Sequence, residues 1–184
     1  AADFLQKNKA PCLYRVHEPP SQDRLEKARA TLAPFGVTLP GGDSPTPGDY
    51  AKVLESIADR PDKAMIQTIL LRSMQQAVYS PHNVGHFGLA YDAYTHFTSP
   101  IRRYPDLLVH RAIRGILRRR KYVPKILVEP NEAEVPVQTR EIICKAKPDD
   151  KKKVAHIDLW EKLGLLCSAH ERRADEASYD VMAW

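Results

Sequence analysis

Apolar residues recur at helical spacing through most of this 184-residue chain, and proline, glycine and capping residues punctuate the runs. Ala1-Ala2-Asp3-Phe4-Leu5 reads as the tail of a helix that began earlier, so a fragment of a longer chain is expected. Pro19-Pro20-Ser21 ends an extended piece and caps a helix carrying Leu25, Ala28, Leu32 and Phe35, with Gly36 just past its end. After a Gly/Pro-rich loop from Leu39 to Pro45, Thr46-Pro47-Gly48-Asp49 supplies an N-cap, a proline at the first helical position and an acid at the third. Tyr50, Val53, Leu54 and Ile57 then form one apolar face. Pro61 opens a longer helix whose predicted buried stripe is Ile66, Ile69, Leu70, Met74, Ala77 and Val78. Met65 and Met74 read as core filler.

Ser80-Pro81-His82-Asn83 breaks that helix. His82 and His86 lie four apart, but Pro81 and Gly85 interrupt the helical register that a two-histidine metal site needs. Ser99 and Pro100 read as an N-cap and first helical residue, and Pro105 either kinks that helix or restarts it. The helix runs to about Arg120 with Leu107, Leu108, Ala112, Ile113 and Ile116 inward. Residues 122–153 change character: four prolines and the run Asp149-Asp150-Lys151-Lys152-Lys153 predict a mobile insertion, with a short strand over Val135–Cys144 as the other reading. A final helix over 158–184 places Leu159, Leu163, Leu166, Ala174, Ala177, Val181 and Trp184 on one side. The chain reads as mainly α.

Composition adds a direction. The formal net charge is +5, and between Arg102 and Lys125 nine Lys/Arg face the single Asp106. Such an excess is a solvated helix face or a phosphate track, and Arg118 and Arg119 are the candidates for the track. Cys12, Cys144 and Cys167 are odd in number and lack C-x-x-C spacing, which argues against a disulfide framework or zinc site and fits a reducing cytoplasm. No apolar run approaches the ~18 residues of a membrane span, so no membrane partner is expected.

The densest chemistry lies in His86–Arg111, HFGLAYDAYTHFTSPIRRYPDLLVHR. Arg102 and Arg103, placed in a first helical turn, sit beside the positive end of the helix dipole and call for an anion nearby. Arginine also grips phosphate through two N–H groups at once. Tyr91, Tyr94, His96 and Phe97 offer flat faces on which bases can stack, although each taken alone reads first as a core aromatic.

This run resembles the signature of the RNB-domain exoribonucleases, the ribonuclease II and ribonuclease R family. The pattern is filled in order by His86, Phe87, Gly88, Leu89, Tyr94, Thr98, Ser99, Pro100, Arg102, Arg103, Tyr104, Asp106 and His110. Leu13-Tyr14-Arg15-Val16-His17-Glu18-Pro19-Pro20 is similar to the ribonuclease R branch. The resemblance implies the helical C-terminal portion of an α+β RNB-type catalytic domain over 1–184, with the signature at 86–110. It implies a 3′-to-5′ exoribonuclease that hydrolyses RNA processively to nucleoside monophosphates with Mg²⁺, acting on single-stranded 3′ ends and structured RNA.

By that resemblance Arg102 approaches the scissile phosphate, Arg103, Ser99, Tyr91, Tyr94 and Phe97 line the RNA path, and His110 orients its helix. The aspartate run that holds the metal in the family has no counterpart here. The resemblance therefore places it upstream, together with cold-shock-like domains, and an S1 domain after this stretch. The fragment alone is expected to bind no Mg²⁺ and to be inactive. A different class, a non-catalytic RNA-binding module that keeps the groove without the metal site, fits the same residues.

Overall fold

A computed structural model describes residues 1–127, 129–131, 135–144 and 156–182. Two compact units divide the chain. One comprises residues 17–77 and 85–92, the other residues 1–16, 78–84 and 93–184.

The first unit is helical because its local signals agree. Helix α2 (Gln22–Leu32) starts after extended Ser21, and a short 3₁₀ turn, Ala33–Phe35, leads to Gly36 in the left-handed conformation at φ 66°. Helix α3 (Pro47–Ser56) has the full capping box: Thr46 N–H donates to Asp49 Oδ2 at 2.9 Å and Asp49 N–H to Thr46 Oγ1 at 3.3 Å. The Thr46 N–H first, and then the Thr46 hydroxyl donating to the same Oδ2 at 2.7 Å, hold the Asp49 carboxyl below its ordinary pKa. Helix α4 (Lys63–Ser73) completes the core of Leu25, Leu32, Val37, Leu39, Tyr50, Val53, Ile57, Ile66 and Leu70. Leu54 and Met65, expected inside, are exposed.

Helix α4 also stops short of the predicted stripe. Met74 turns extended, still packed against the core, while Val78 leaves the helix altogether for a strand. The HFG part of the signature folds as a tight turn, Phe87–Leu89, against His17. Phe87 N–H donates to His17 O at 2.8 Å and Gly88 N–H to His17 Nδ1 at 2.8 Å. A Cβ on Gly88 would lie 3.2 Å from the His17 ring, so the glycine permits that approach.

In the second unit, helix α1 (Ala2–Lys7) precedes strand β1 (Tyr14–Val16), which pairs antiparallel with β2 (Val78–Ser80) in the register Tyr14↔Ser80, Arg15↔Tyr79, Val16↔Val78. Around this ribbon lie α5 (Tyr104–Leu117), α6 (Val137–Ile143) and α7 (Ile157–Met182). All three β2 residues are buried, which a two-strand sheet achieves only under helices. Gly164 makes the closest approach: a Cβ there would lie 2.6 Å from Tyr79 O. One turn on, Ser168 Oγ accepts the Tyr79 N–H at 3.1 Å.

Three expectations are corrected here. Helix α5 begins at Tyr104, not Pro100, so Pro105 restarts the chain as a helix and Arg102 and Arg103 precede it. Residues Val137–Ile143 form a helix rather than a strand, with Ile143 fully buried. The inward face of α7 is Ile157, Trp160, Leu163, Gly164, Leu165, Ser168 and Ala169, whereas Ala174, Ala177 and Val181 are exposed. Residues 145–153 of the expected mobile insertion, and Trp184, lie outside the described residues. Among the described residues no helix is long and apolar enough to cross a membrane.

Candidate nucleic-acid interface

The turn ahead of α5 is built on one carboxylate. Arg102 and Arg103 donate their amides to Ser99 O at 3.3 and 3.0 Å, closing the turn. Ser99 N–H then reaches forward to Asp106 Oδ1 at 2.8 Å, and Arg103 Nη2 donates to the same oxygen at 2.9 Å. Asp106 sits in the first turn of α5, fully buried, where an acid complements the helix dipole. Pro105 gives up an N–H that had no helical partner anyway. The Arg102 side chain is exposed and makes no hydrogen bond or ion pair with any described residue.

Beside this turn opens a cavity of about 700 Å³ within the same unit. Its lining includes the cations Arg102, Arg103 and Lys125, apolar Ile126, Leu163 and Leu166, and His170, Glu171 and Asp175 of α7. Glu171 is not loose: Arg15 Nη1 pairs with its Oε2, and Tyr79 Oη lies 3.4 Å from its Oε1. The Arg15 guanidinium also sits 4.6 Å from the centre of the Tyr79 ring, and Tyr79 Oη is 2.9 Å from His96 Nδ1. Burial first, and then the Glu171 charge, raise the Tyr79 pKa, so its hydroxyl keeps its proton. The same two causes push the Cys167 thiol on this wall up to about 12.

Of the residues singled out from sequence, Arg102 and Arg103 meet at the cavity, and Ser99 supports them through its backbone. Phe97 stacks on His110 with ring centres 4.2 Å apart, and His110 Nε2 donates to Phe97 O at 2.8 Å, tying α5 to the segment before it. Tyr94 is partly buried, its carbonyl accepting the Arg15 N–H at 2.9 Å and its ring edge-on to His96. Arg118 and Arg119 are exposed at the far end of α5, about 21 Å along the axis from Tyr104. Tyr91, also exposed, belongs to the other unit. Sequence reading missed Arg15, Tyr79 and His170 and took Lys125 only as the end of the basic run, while Glu171, with Arg172, Arg173, Asp175 and Glu176, reads from sequence as a solvated helix face or a helix edge facing RNA. No local spacing marks Arg15 and Glu171 as partners, since 156 residues separate them.

Among the described residues no three His, Cys, Asp or Glu side chains come together to hold a metal ion. The described residues therefore supply no donor set that fits one.

Ribonuclease R of Escherichia coli K12 is 46% identical over 186 residues, covering all of this chain and 20% of that protein. The chain thus spans about a fifth of the relative's length. Mycoplasma genitalium RNase R superposes at a TM-score of 0.60 and 26% identity over 92% of this chain and 24% of that one. The similarity holds for its complexes with ribose-methylated single-stranded RNA and with double-stranded RNA. Yeast Ssd1, described as a pseudonuclease, shares the fold at a TM-score of 0.57 and 22% identity, over 90% of this chain and 19% of that one. The RNB domain profile matches residues 1–119, well over half the sequence, and the chain belongs to the RNB-domain family.

Proposed function

We infer that this chain is the RNA-holding side of the active site of a 3′-to-5′ exoribonuclease that hydrolyses RNA processively to nucleoside monophosphates. The observation that carries the reading is Arg102, an exposed guanidinium without a partner among the described residues, at a cavity that it shares with Arg103 and Lys125. A fixed cation there meets the charge that grows on a phosphate under attack. The relatives named ribonuclease R, and the M. genitalium protein's complexes with single-stranded and double-stranded RNA, support RNA as the ligand; the strands taken in this reading are single-stranded 3′ ends and structured RNA.

In this reading the Mg²⁺ ions are held by carboxylates elsewhere in a longer polypeptide, which also carries the cold-shock-like and S1 domains and works in the cytoplasm. A metal bound there would supply the polarised water and charge neutralisation for hydrolysis. The residues of this chain hold and orient the phosphate.

The test uses the intact protein with 5′-labelled single-stranded RNA and Mg²⁺. Progressive shortening from the 3′ end, with mononucleotides released and EDTA stopping the reaction, is the expected result. RNA that is bound but left whole would instead establish the non-catalytic binding module.

A further inference from the structure

Arg102, Arg103 and Asp106 lie close in sequence at the start of α5, and their bonds divide them unequally. The Asp106 carboxylate takes the Arg103 guanidinium and the Ser99 N–H on the same oxygen. Its other oxygen has no hydrogen-bond partner among the described residues. Arg103 is the cation paired with it, and the Arg103 side chain is only 25% exposed. Arg103 cannot swing toward a ligand without leaving a buried charge alone, which is strongly unfavourable. Arg102, on the same turn and lining the same cavity, has no such tie.

The turn itself is closed from both sides. Its amides at 102 and 103 return to Ser99 O, while Ser99 N–H is held by Asp106. Breaking the Asp106 contacts therefore releases the stretch whose backbone aims Arg102. A cation set in place before the substrate arrives needs no rearrangement as charge develops.

Resting on the reading of this cavity as an RNA phosphate site, we propose that Asp106 is a positioning residue for the reaction. It binds Arg103 as a fixed brace, locks residues 99–103, and so presents Arg102 as the cation for the phosphate. Arg103 serves the site through Asp106 rather than by gripping phosphate itself.

The test compares Asp106→Asn, Arg102→Ala and the double variant in the intact protein, by single-turnover cleavage and by RNA binding. Asp106→Asn is expected to slow cleavage about tenfold to a hundredfold, as a misplaced reacting group does, with affinity held within about threefold. In the Arg102→Ala background it should cost nothing further, since the group it positions is gone. A merely structural role would lower affinity and rate together and would add to the Arg102→Ala loss, and either result overturns the proposal.

Should Asp106→Asn fail to fold, Arg103→Lys against Arg102→Lys decides. Lysine still pairs with Asp106 at position 103, so its loss should be at least about ten times smaller than that of Arg102→Lys, where the planar fork is missing. Equal or larger loss at position 103 overturns the brace. Wild-type protein that neither binds nor cuts RNA would sink the phosphate reading before any variant is compared, and this proposal with it.

Discussion

Arg15 and Tyr79 face each other across the two-strand ribbon, with the guanidinium 4.6 Å from the ring centre, and the same guanidinium pairs with Glu171 on α7. One side chain thus joins β1, β2 and a helix 156 residues away. Its planar shape matters as much as its charge, because a flat fork can lie on a ring and still reach a carboxylate.

Arg15→Ala should therefore destabilise the fold. The Arg15 and Glu171 side chains are 15% and 29% exposed, so the cost falls below that of breaking a fully buried pair, at about 1–2 kcal/mol. Thermal unfolding should shift down by about 2–4 °C per kcal/mol. Arg15→Lys should recover only part of the loss, and full recovery would remove the ring contact from the account.

Gly164→Ala tests the seat of α7 on β2. A Cβ 2.6 Å from Tyr79 O meets backbone that cannot move without shifting the strand, and it crowds the buried Ile143 side chain at 3.0 Å from Cγ2. Overpacking of this kind costs about 1–3 kcal/mol. Alanine normally favours a helix over glycine by up to ~1 kcal/mol, so a stabilised variant in denaturant titration would show that the approach is looser than described.

The three cysteines should separate by reactivity. Cys12 and Cys167 have thiols pushed up to about 12, by burial first in each case, while Cys144 is exposed. A raised thiol pKa leaves little thiolate below it, so near neutral pH both stay unreactive, and their reaction rises only as pH approaches that value. A thiol reagent at about pH 8 should label Cys144 alone in the native protein and all three after denaturation. Rapid native labelling of Cys167 would mean that the cavity wall opens.

Arginines at the two ends of α5 should fail differently. In the intact protein Arg102→Lys is expected to cut single-turnover cleavage by about a hundred- to a thousandfold with RNA affinity nearly kept, the loss of one preorganised contact. Substituting Arg118 or Arg119 should weaken affinity and lower the salt dependence by about one unit of slope per phosphate contact. Normal turnover by Arg102→Lys with weakened binding would make Arg102 a binding group only.

The 184-residue chain by itself should leave single-stranded RNA intact in Mg²⁺ or Mn²⁺, because its described residues assemble no metal-ligand cluster. Circular dichroism showing its helices makes the assay meaningful. Shortening that EDTA abolishes would reveal a metal site in this chain.

Much of the first unit was legible in the sequence. Thr46, Pro47 and Asp49 act within three residues of one another, and Leu32, Phe35 and Gly36 within four at the end of α2, so local rules suffice to place these helices. The signature likewise named Arg102, Arg103, Asp106 and His110 as a group. What the tertiary structure decided depends on partners distant in sequence. Asp106 takes the Ser99 N–H and so moves the start of α5 to Tyr104, against the Ser-Pro cap. Val78, apolar and in helical phase, becomes strand because Val16 and the helices over β2 bury it better. The buried face of α7 is set by where Gly164 admits the Tyr79 carbonyl, and Glu171 becomes a site residue through Arg15. Local pattern reports which faces are apolar or charged; which surface each face meets is settled by packing, whose energy exists only once the chain has brought remote residues together.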